Sequence, residues 1–259
     1  MDRHHVLHSN SCGRRYGATT NLRPGSAGAA MRHTAAMAGV RVLVVDDDIA
    51  VRAALMGFID RQDGYAVVGQ AENGAQGVEE FTRLRPDLVM MDLQMPVLDG
   101  IGAIRAIREL DRVAKIVALT TFDGRDHVVA ALRAGASGYL LKDTSAADLV
   151  IALGQALVGD MPLSPAIRHA LVTAVVEERP KPVTGDNPLT ARQSELVGWL
   201  AQGLTNAQIG RRMYLSEGSV KQYLQQIGER LGVSSRTQIL IRGVQLGIVD
   251  PDKALADEQ

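Results

Sequence analysis

Four apolar runs of strand length, separated by stretches with helical periodicity, constrain the fold of residues 39–160 more than any other feature of the chain. The runs are Val40–Val45, Leu88–Met91, Ile116–Leu119 and Tyr139–Leu141. The helix-period stretches are Ile49–Asp60, Gly74–Leu84, Gly100–Glu109 and Asp126–Ala134. Because strands that alternate with helices form a parallel sheet covered on both faces, this region is predicted to be a doubly wound α/β domain.

Polar side chains stand at the carboxyl ends of these apolar runs. In chain order they are Asp46-Asp47-Asp48, Asp92, Thr120-Thr121 and Lys142. Binding sites of open parallel sheets form outside the carboxyl ends of the strands. The sequence therefore predicts that several carboxylates, a hydroxyl and a lysine converge at one edge of the sheet.

Carboxylates at close range repel one another, and their pKa values rise unless a cation neutralises them. Mg²⁺ takes oxygen ligands, keeps several waters and often shares its site with a phosphate. A metal ion and a lysine together can hold the oxygens of a phosphoryl group in transfer. One carboxylate can then act as the nucleophile and form an aspartyl phosphate.

The motifs in this region resemble those of the receiver domain of two-component response regulators. They read VLVVDDD, VMMDLQMPVLDG, ALTTFD and AGASGYLLKD, and their order and spacing are highly specific. The resemblance covers residues 40–160 and implies a flavodoxin-like fold with a five-stranded parallel sheet.

The resemblance implies a role for seven residues of the predicted pocket. Asp92 would be the phosphoacceptor and also a Mg²⁺ ligand, Asp47 a direct Mg²⁺ ligand, Asp46 a ligand partly through water, Gln94 a backbone carbonyl ligand, Thr120 the switch hydroxyl, Lys142 the phosphate-pairing lysine and Tyr139 the aromatic that follows the switch. Two further acidic residues are predicted to be structural, because Asp48 precedes one helix as a cap and Asp99 forms the turn before another.

Residues 188–250 carry helix signals throughout. Three capping boxes are predicted, pairing Thr190 with Gln193, Thr205 with Gln208 and Ser235 with Gln238, and Ser216 is a fourth cap candidate. Four short helices are expected, at about 191–202, 206–212, 217–231 and 235–246. This small all-α unit follows the α/β domain.

The segment from Leu189 to Val249 resembles the helix-turn-helix output domain of NarL/FixJ (LuxR-type) regulators. Its third helix has an apolar stripe at Val220, Leu224, Ile227 and Leu231, which predicts the buried face. The resemblance and the chemistry of DNA contacts together select the candidate DNA-binding residues, which are Thr205, Asn206, Ser219, Lys221, Gln222, Gln225 and Arg236.

Five segments are expected along the chain. They are a disordered N-terminal extension (1–38), the receiver domain (39–160), a linker that contains a helix (161–187), the LuxR-type domain (188–250) and a C-terminal tail (251–259). The net charge of −1 hides a difference between the domains. The receiver region has 12 basic and 18 acidic residues, and the helical region has 7 basic and 4 acidic residues, which favours nucleic-acid contact by the second.

The predicted function is that of a response regulator, not an enzyme. A sensor histidine kinase would phosphorylate the receiver, and the protein, a homodimer when phosphorylated, would bind double-stranded DNA and control transcription. Two alternatives stay open at this point. The receiver could be a dimer platform that needs no phosphorylation, or it could act as a phosphate sink through its own turnover of phosphate.

A cytoplasmic location without membrane contact is expected. Cys12 is the single cysteine, so the chain can form no disulfide within itself, which suits a reducing compartment. No stretch approaches the ~18 consecutive apolar residues of a membrane span.

Overall fold

The computed structural model describes residues 39–121, 125–177 and 187–250 of the chain. The predicted extension at 1–38, most of the Pro/Gly-rich part of the linker and the tail at 251–259 lie outside these residues. The first described region alternates strands and helices in the order β1 (Val40–Val45), α1 (Ile49–Ile59), β2 (Tyr65–Ala71), α2 (Gly74–Leu84), β3 (Leu88–Asp92), α3 (Gly100–Leu110), β4 (Ile116–Thr120), α4 (Arg125–Ala134), β5 (Gly138–Leu141) and α5 (Ala146–Val158).

The second region is helical. It begins with α6 (Pro165–Glu177), and four further helices follow the linker: α7 (Ala191–Ala201), α8 (Asn206–Met213), α9 (Glu217–Leu231) and α10 (Arg236–Gln245). The predicted architecture is therefore confirmed, with an α/β domain followed by a small all-α domain.

The five strands form one parallel sheet in the order β2-β1-β3-β4-β5. The chain leaves β1 toward β2 on one side and later returns to place β3 on the other side. This reversal at β1 and β3 opens a crevice at their carboxyl ends, where ligands of such sheets bind. The topology thus fixes the position of the candidate site between these two strands.

Two apolar layers cover the faces of the sheet. One contains Val42, Val44, Leu149 and Leu153, which join β1 to α5, together with Ile59 of α1. The other layer packs α2, α3 and α4 against the opposite face, and the same buried cluster continues through α6 into the core of the helical domain. The two domains therefore share a continuous apolar core.

The strand β2 is an edge strand that the apolar runs did not predict. In its sequence, YAVVGQA, only Ala71 is buried, and the other side chains are half-buried or exposed. The remaining four strands are buried almost throughout and match the predicted runs. A half-exposed edge strand loses the continuous apolar signal that marks its neighbours.

The helix caps form as predicted. Thr190, Thr205 and Ser235 each accept a hydrogen bond from the backbone N–H three residues later, and the side-chain oxygen of the glutamine at that position accepts the backbone N–H of the cap residue. Asp48 and Asp99 cap α1 and α3 through their side chains. These bonds satisfy N–H groups that the first turn of a helix leaves without a partner.

Two glycines in the helical domain are required by close packing. A Cβ atom at Gly210 would lie 2.6 Å from the carbonyl oxygen of Leu215, and one at Gly228 would lie 2.7 Å from that of Val233. Both helices therefore turn closely against the loop that follows them. A Cβ atom at Gly198, in the interior of α7, would meet no atom within 4 Å.

None of the helices in the described ranges combines the length and the apolar character that a membrane span needs.

We expect Gly210→Ala and Gly198→Ala to change stability in opposite directions. The first places a methyl group against a backbone carbonyl and should cost about 1–3 kcal/mol. The second adds helix propensity without a clash and should stabilise the protein by up to about 1 kcal/mol. Urea unfolding of the two variants beside the wild type measures both, and equal effects would contradict the packing reason for Gly210.

Candidate functional site

Three carboxylates meet at the crevice between β1 and β3. Asp46 and Asp47 follow β1, and Asp92 is the last residue of β3. Each offers one oxygen within 4.8 Å of the others. Asp46 and Asp92 are buried, whereas Asp47 is exposed and faces the solvent side of the group. The predicted convergence of these side chains is present in the structure.

Lys142, which follows β5, is the cation of this cluster. Its Nζ lies 2.7 Å from Oδ2 of Asp46 and 3.1 Å from Oδ2 of Asp92. Burial disfavours the ammonium, but the hydrogen bonds and negative charges of the two aspartates outweigh it and raise the pKa of Lys142. The lysine is therefore charged and holds the two buried carboxylates together.

Burial, Lys142 and two backbone N–H groups define the surroundings of the Asp92 carboxyl group. Burial raises the pKa of its carboxyl group, while Lys142 opposes that rise. Oδ1 accepts the N–H of Leu93 at 2.8 Å, and the backbone N–H of Gln94 also donates to the carboxyl group. The side chain of Gln94 is exposed, so it is the backbone of this residue that belongs to the site.

The charge of the cluster fits a divalent cation. Asp46, Asp47 and Asp92 carry three negative charges at neutral pH, and Lys142 supplies one positive charge. The excess of two negative charges and the all-oxygen donor set are what a hard divalent ion such as Mg²⁺ requires. One oxygen of Asp46 is already occupied by the N–H of Asp48 at 3.0 Å, which orients its carboxylate.

Thr120 and Tyr139 lie on the strands beside this cluster. Thr120 ends β4, is buried, and its carbonyl oxygen accepts the N–H of Lys142 at 2.7 Å. Tyr139 is buried in the apolar layer that also contains Val128 and Leu132 of α4. A movement at Thr120 is thus linked through β5 to the packing beneath α4.

Gly100 allows α3 to begin directly behind the site. Its amide donates to the carbonyl oxygen of Leu93 at 3.0 Å. The Cα of Leu93 would lie 2.8 Å from any Cβ at this position, so no larger residue fits without moving the backbone that follows Asp92. The Asp99-Gly100 pair therefore serves the geometry of the loop, as the sequence indicated.

The helical domain presents α9 with two distinct faces. Val220, Leu224, Ile227 and Leu231 are buried, which confirms the predicted stripe. Lys221, Gln222 and Gln225 are exposed on the other face, and Gln225 donates to Glu229 at 3.1 Å. Ser219 is half-buried and bonded to the cap residue Ser216. Thr205 caps α8 with its side chain.

Asn206 and Arg236 are placed differently from the other DNA-contact candidates. Asn206 is buried, and its backbone N–H donates to Oδ1 of Asp160 at 2.9 Å. Arg236 contacts the same oxygen at 3.4 Å, donates to Oδ1 of Asn206 at 2.6 Å and also bonds the carbonyl oxygen of Leu204. We call Asp160, Asn206 and Arg236 the interdomain latch.

Burial governs the energetics of the latch. The side chains of Arg236 and Asp160 are 7% and 11% exposed. Burial lowers the pKa of the Arg236 guanidinium to about 10 although Asp160 opposes the shift, so the guanidinium is charged at neutral pH. Sequence reasoning missed Asp160, and nothing in its position after α5 distinguishes it from an ordinary loop residue.

Two more hydrogen bonds join the domains next to α4. The hydroxyl of Thr237, which is fully buried, donates to the carbonyl oxygen of Ala136 at 3.1 Å. The side-chain amide of Gln238 donates to the carbonyl oxygen of Arg133 at 3.3 Å. Helix α6 packs against both α4 and α10 beside these bonds. The start of α10 is therefore attached to the end of α4 and the segment between α4 and β5.

A cleft lies between the exposed face of α9 and the α/β domain. Lys221 and Gln225 line one wall, and Arg112, Val113 and Lys115 line the other. The cleft holds about 830 Å³, which is the size of a small-molecule site.

Two family models match the chain. The response regulator receiver domain matches residues 42–154, and the model of bacterial regulatory proteins of the luxR family matches residues 187–242. Both matches fall within the described architecture, the first on the α/β domain and the second on the helices after the linker.

Curated relatives match both domains together. The nitrate/nitrite response regulator protein NarL of Escherichia coli (strain K12) is 34% identical over 200 residues, which are 77% of this chain and 93% of that protein. The transcriptional regulatory protein YdfI of Bacillus subtilis (strain 168) is 35% identical over 212 residues, 82% and 99% of the two chains.

A solved structure matches part of the chain. It is a two-component response regulator of the LuxR family from Aurantimonas sp. SI85-9A1, with a TM-score of 0.50 and 36% identity. The match covers 53% of this chain and 99% of that chain.

We expect Asp160→Ala to loosen the interdomain latch. The change removes the acceptor of the Asn206 N–H and leaves a buried guanidinium without its counter-ion, and breaking a buried pair costs up to about 3–5 kcal/mol. Amide hydrogen exchange at the starts of α8 and α10 should accelerate, and small-angle X-ray scattering should show a larger radius of gyration. Asp63→Ala removes an exposed carboxylate as the matched control. Unchanged exchange at both helix starts would show that the latch does not hold the domains.

Proposed function

Because the chain belongs to the two-component response regulators that join a receiver domain to a LuxR-type DNA-binding domain, we propose that phosphorylation of Asp92 by a sensor histidine kinase controls its binding to double-stranded DNA. The chain is a transcription regulator of this family rather than an enzyme. The observation that carries the proposal is the buried Asp92 carboxylate, which lies 3.1 Å from Lys142 within a cluster of acidic side chains.

Asp92 is the nucleophile of the proposed transfer. Its carboxylate oxygen forms a bond to the phosphorus of a kinase phosphohistidine while the P–N bond breaks, and the imidazole nitrogen takes the electron pair. Lys142 stays charged and pairs with the phosphoryl oxygens as it now pairs with the carboxylates. Asp46, Asp47, Asp92 and the backbone carbonyl of Gln94 would hold Mg²⁺, which would supply further positive charge beside the transferring group.

Thr120 and Tyr139 carry the signal away from Asp92. A phosphoryl group adds about −1.5 to −2 charges, by analogy with phosphoserine, and offers new hydrogen-bond acceptors. The Thr120 hydroxyl moves to this acceptor, and the Tyr139 ring repacks in the layer beneath α4. Since the carbonyl groups of Arg133 and Ala136 hold the start of α10, a shift of α4 weakens the attachment of the output domain.

The described arrangement corresponds to the resting state in this proposal. Asn206 and Arg236 are engaged by Asp160, and the receiver stands opposite Lys221 and Gln225. These residues, with Thr205, Ser219 and Gln222, become available for DNA once the domains separate. A homodimer of the opened form then reads two half-sites about one helical turn apart.

The proposal includes a cytoplasmic location, where a regulator meets chromosomal DNA. It also places the domain boundaries at the predicted positions, with the receiver at 39–160 and the DNA-binding domain at 188–250. A regulator that ignores phosphate is disfavoured, because every pocket residue of the receiver pattern is present. A phosphate sink is disfavoured by the presence of the output domain.

We expect Mg²⁺ at millimolar concentration to raise the melting temperature of the protein, since an ion that binds only the folded state stabilises it by mass action. Asp47→Asn should abolish this shift and change the Mg²⁺-free melting temperature little, because Asp47 is exposed. Asp63→Asn, a change of the same charge far from the cluster in sequence, should keep the shift. An Asp47→Asn protein that responds fully to Mg²⁺ would exclude Asp47 as a ligand.

Acetyl phosphate with Mg²⁺ should add one phosphoryl group to the wild type, detected by intact-protein mass spectrometry. Asp92→Asn should give no adduct because the amide is not a nucleophile, and Asp63→Asn should give the wild-type adduct. Phosphorylation should raise the DNA affinity of the wild type and of Asp63→Asn by the same factor. If the wild type forms no adduct with acetyl phosphate or with purified kinases, the result favours the alternative hypothesis of a regulator that works without phosphorylation.

A further inference from the structure

The cleft between the receiver and α9 is a cavity of about 830 Å³ that the proposed phosphotransfer does not use. The receiver wall consists of the segment before β4 and the end of α5, with Lys115 and Val158 as examples. The output wall is formed by α9 and the start of α10, with Lys221 and Ile239 as examples. Its volume lies within the range of small-molecule sites, which are mostly apolar with a few convergent polar groups.

The polar groups of the cleft are predominantly cationic. Arg112, Lys115 and Lys221 line it, and Arg236, also on its wall, is committed to the latch. Glu229 is the acidic residue on the wall, and its carboxylate accepts from Gln225. Among the residues that the structure describes, neither Lys115 nor Lys221 has a side-chain hydrogen bond or a salt bridge.

The two lysines line the same cleft from opposite domains, Lys115 before β4 and Lys221 on α9. Burial lowers the pKa of Lys115, and the charges of Arg108 and Lys221 lower it further, while Asp111 opposes the shift. Lys115 Nζ also lies near the end of α5, 3.9 Å from where a Cβ of Gly159 would stand. The negative end of a helix explains the position of one lysine. It does not explain why a second lysine approaches from α9.

Like charges that close across an interface need a counter-ion or cost free energy. An anion between Lys115 and Lys221 would remove this cost and add charge-assisted hydrogen bonds from both walls. Val113, Leu157 and Ile239 offer apolar surface beside the lysines for the rest of such a molecule. A phosphate group with an apolar or planar body therefore matches both parts of the lining.

We propose that this cleft binds a small phosphate-bearing molecule of about nucleotide size, which bridges Lys115 and Lys221 and holds the domains in the closed arrangement. The site is separate from Asp92, and only its consequence for DNA rests on the proposed function. Because the ligand contacts both walls at once, it favours the closed state over the open one and opposes DNA binding.

Calorimetric titration of the full chain with adenosine 5′-monophosphate tests the site, in buffer without Mg²⁺ so that the acidic cluster attracts no metal-bound phosphate. We expect saturable binding with a Kd below about 1 mM. Adenosine, which lacks the phosphate, should bind at least about tenfold more weakly. Lys115→Gln and Lys221→Gln should each weaken binding about tenfold, and Arg61→Gln, an exposed charge outside the cleft, should not.

Two further variants separate this site from the phosphoacceptor pocket. Asp92→Asn should bind the nucleotide like the wild type, so a failure of the phosphotransfer proposal leaves this result untouched. Lys142→Gln should also bind normally. Loss of binding in Lys142→Gln with retention in Lys115→Gln would place the phosphate at the acidic pocket and overturn the proposal, as would the absence of saturable binding to the wild type.

The consequence for regulation is measured with DNA. Adenosine 5′-monophosphate should weaken binding of the unphosphorylated wild type to double-stranded DNA in proportion to site occupancy. The effect should be lost in Lys115→Gln, which lies on the receiver and outside the DNA-contact residues. Equal weakening in the wild type and in Lys115→Gln would show that the nucleotide competes with DNA directly and would overturn the closing role.

Discussion

The ion pairs of Lys142 with Asp46 and Asp92 are the interaction on which the rest of the structure depends. They join the carboxyl ends of β1, β3 and β5 through one half-buried ammonium, at distances of 2.7 and 3.1 Å. Without a cation, two buried carboxylates this close would not both stay ionised. The same lysine donates its backbone N–H to the carbonyl oxygen of Thr120, so the charge balance of the pocket and the position of Thr120 are parts of one arrangement. Its influence continues along β5 to Tyr139 and the packing beneath α4.

Much of this arrangement can be predicted from the sequence. Apolar runs and helix caps are local patterns, and the topology of a parallel sheet brings the strand ends together. Continuous apolar runs predict β1, β3, β4 and β5, and they fail for β2, whose side chains are mostly half-buried or exposed and include a glycine and a glutamine. The caps Thr190, Thr205 and Ser235 predict the starts of three helices within a residue. The site residues follow from the rule that strand ends converge, and their chemistry limits what they can hold. The need for a glycine in α8 and in α9 has no local sequence signal, because the carbonyl groups of Leu215 and Val233 approach these positions only in the folded chain.

The interdomain latch lies beyond sequence reasoning for a physical reason. Asp160 meets residues 46 and 76 positions away, and no periodicity or cap signal connects them. Arg236 and Asn206 have the residue types of phosphate contacts, which is how the sequence presents them. In the described arrangement Asp160, an acidic side chain of the first domain, contacts both of these residues. The acidic character of the first domain and the basic character of the second thus meet in a contact within the chain.

The shared core around α6 has a consequence for how the response scales with the amount of protein. Its side chains Ile167, Leu171, Val172 and Val175 are buried where α6 meets α4 and α10. Separating the domains exposes part of this apolar surface, which water disfavours. In the proposed homodimer a second opened copy would cover this surface, so opening and pairing would be coupled, and pairing is a second-order process. The active fraction should therefore increase more steeply than linearly with the concentration of the protein, and a cell that makes little of it would be protected from stray signals.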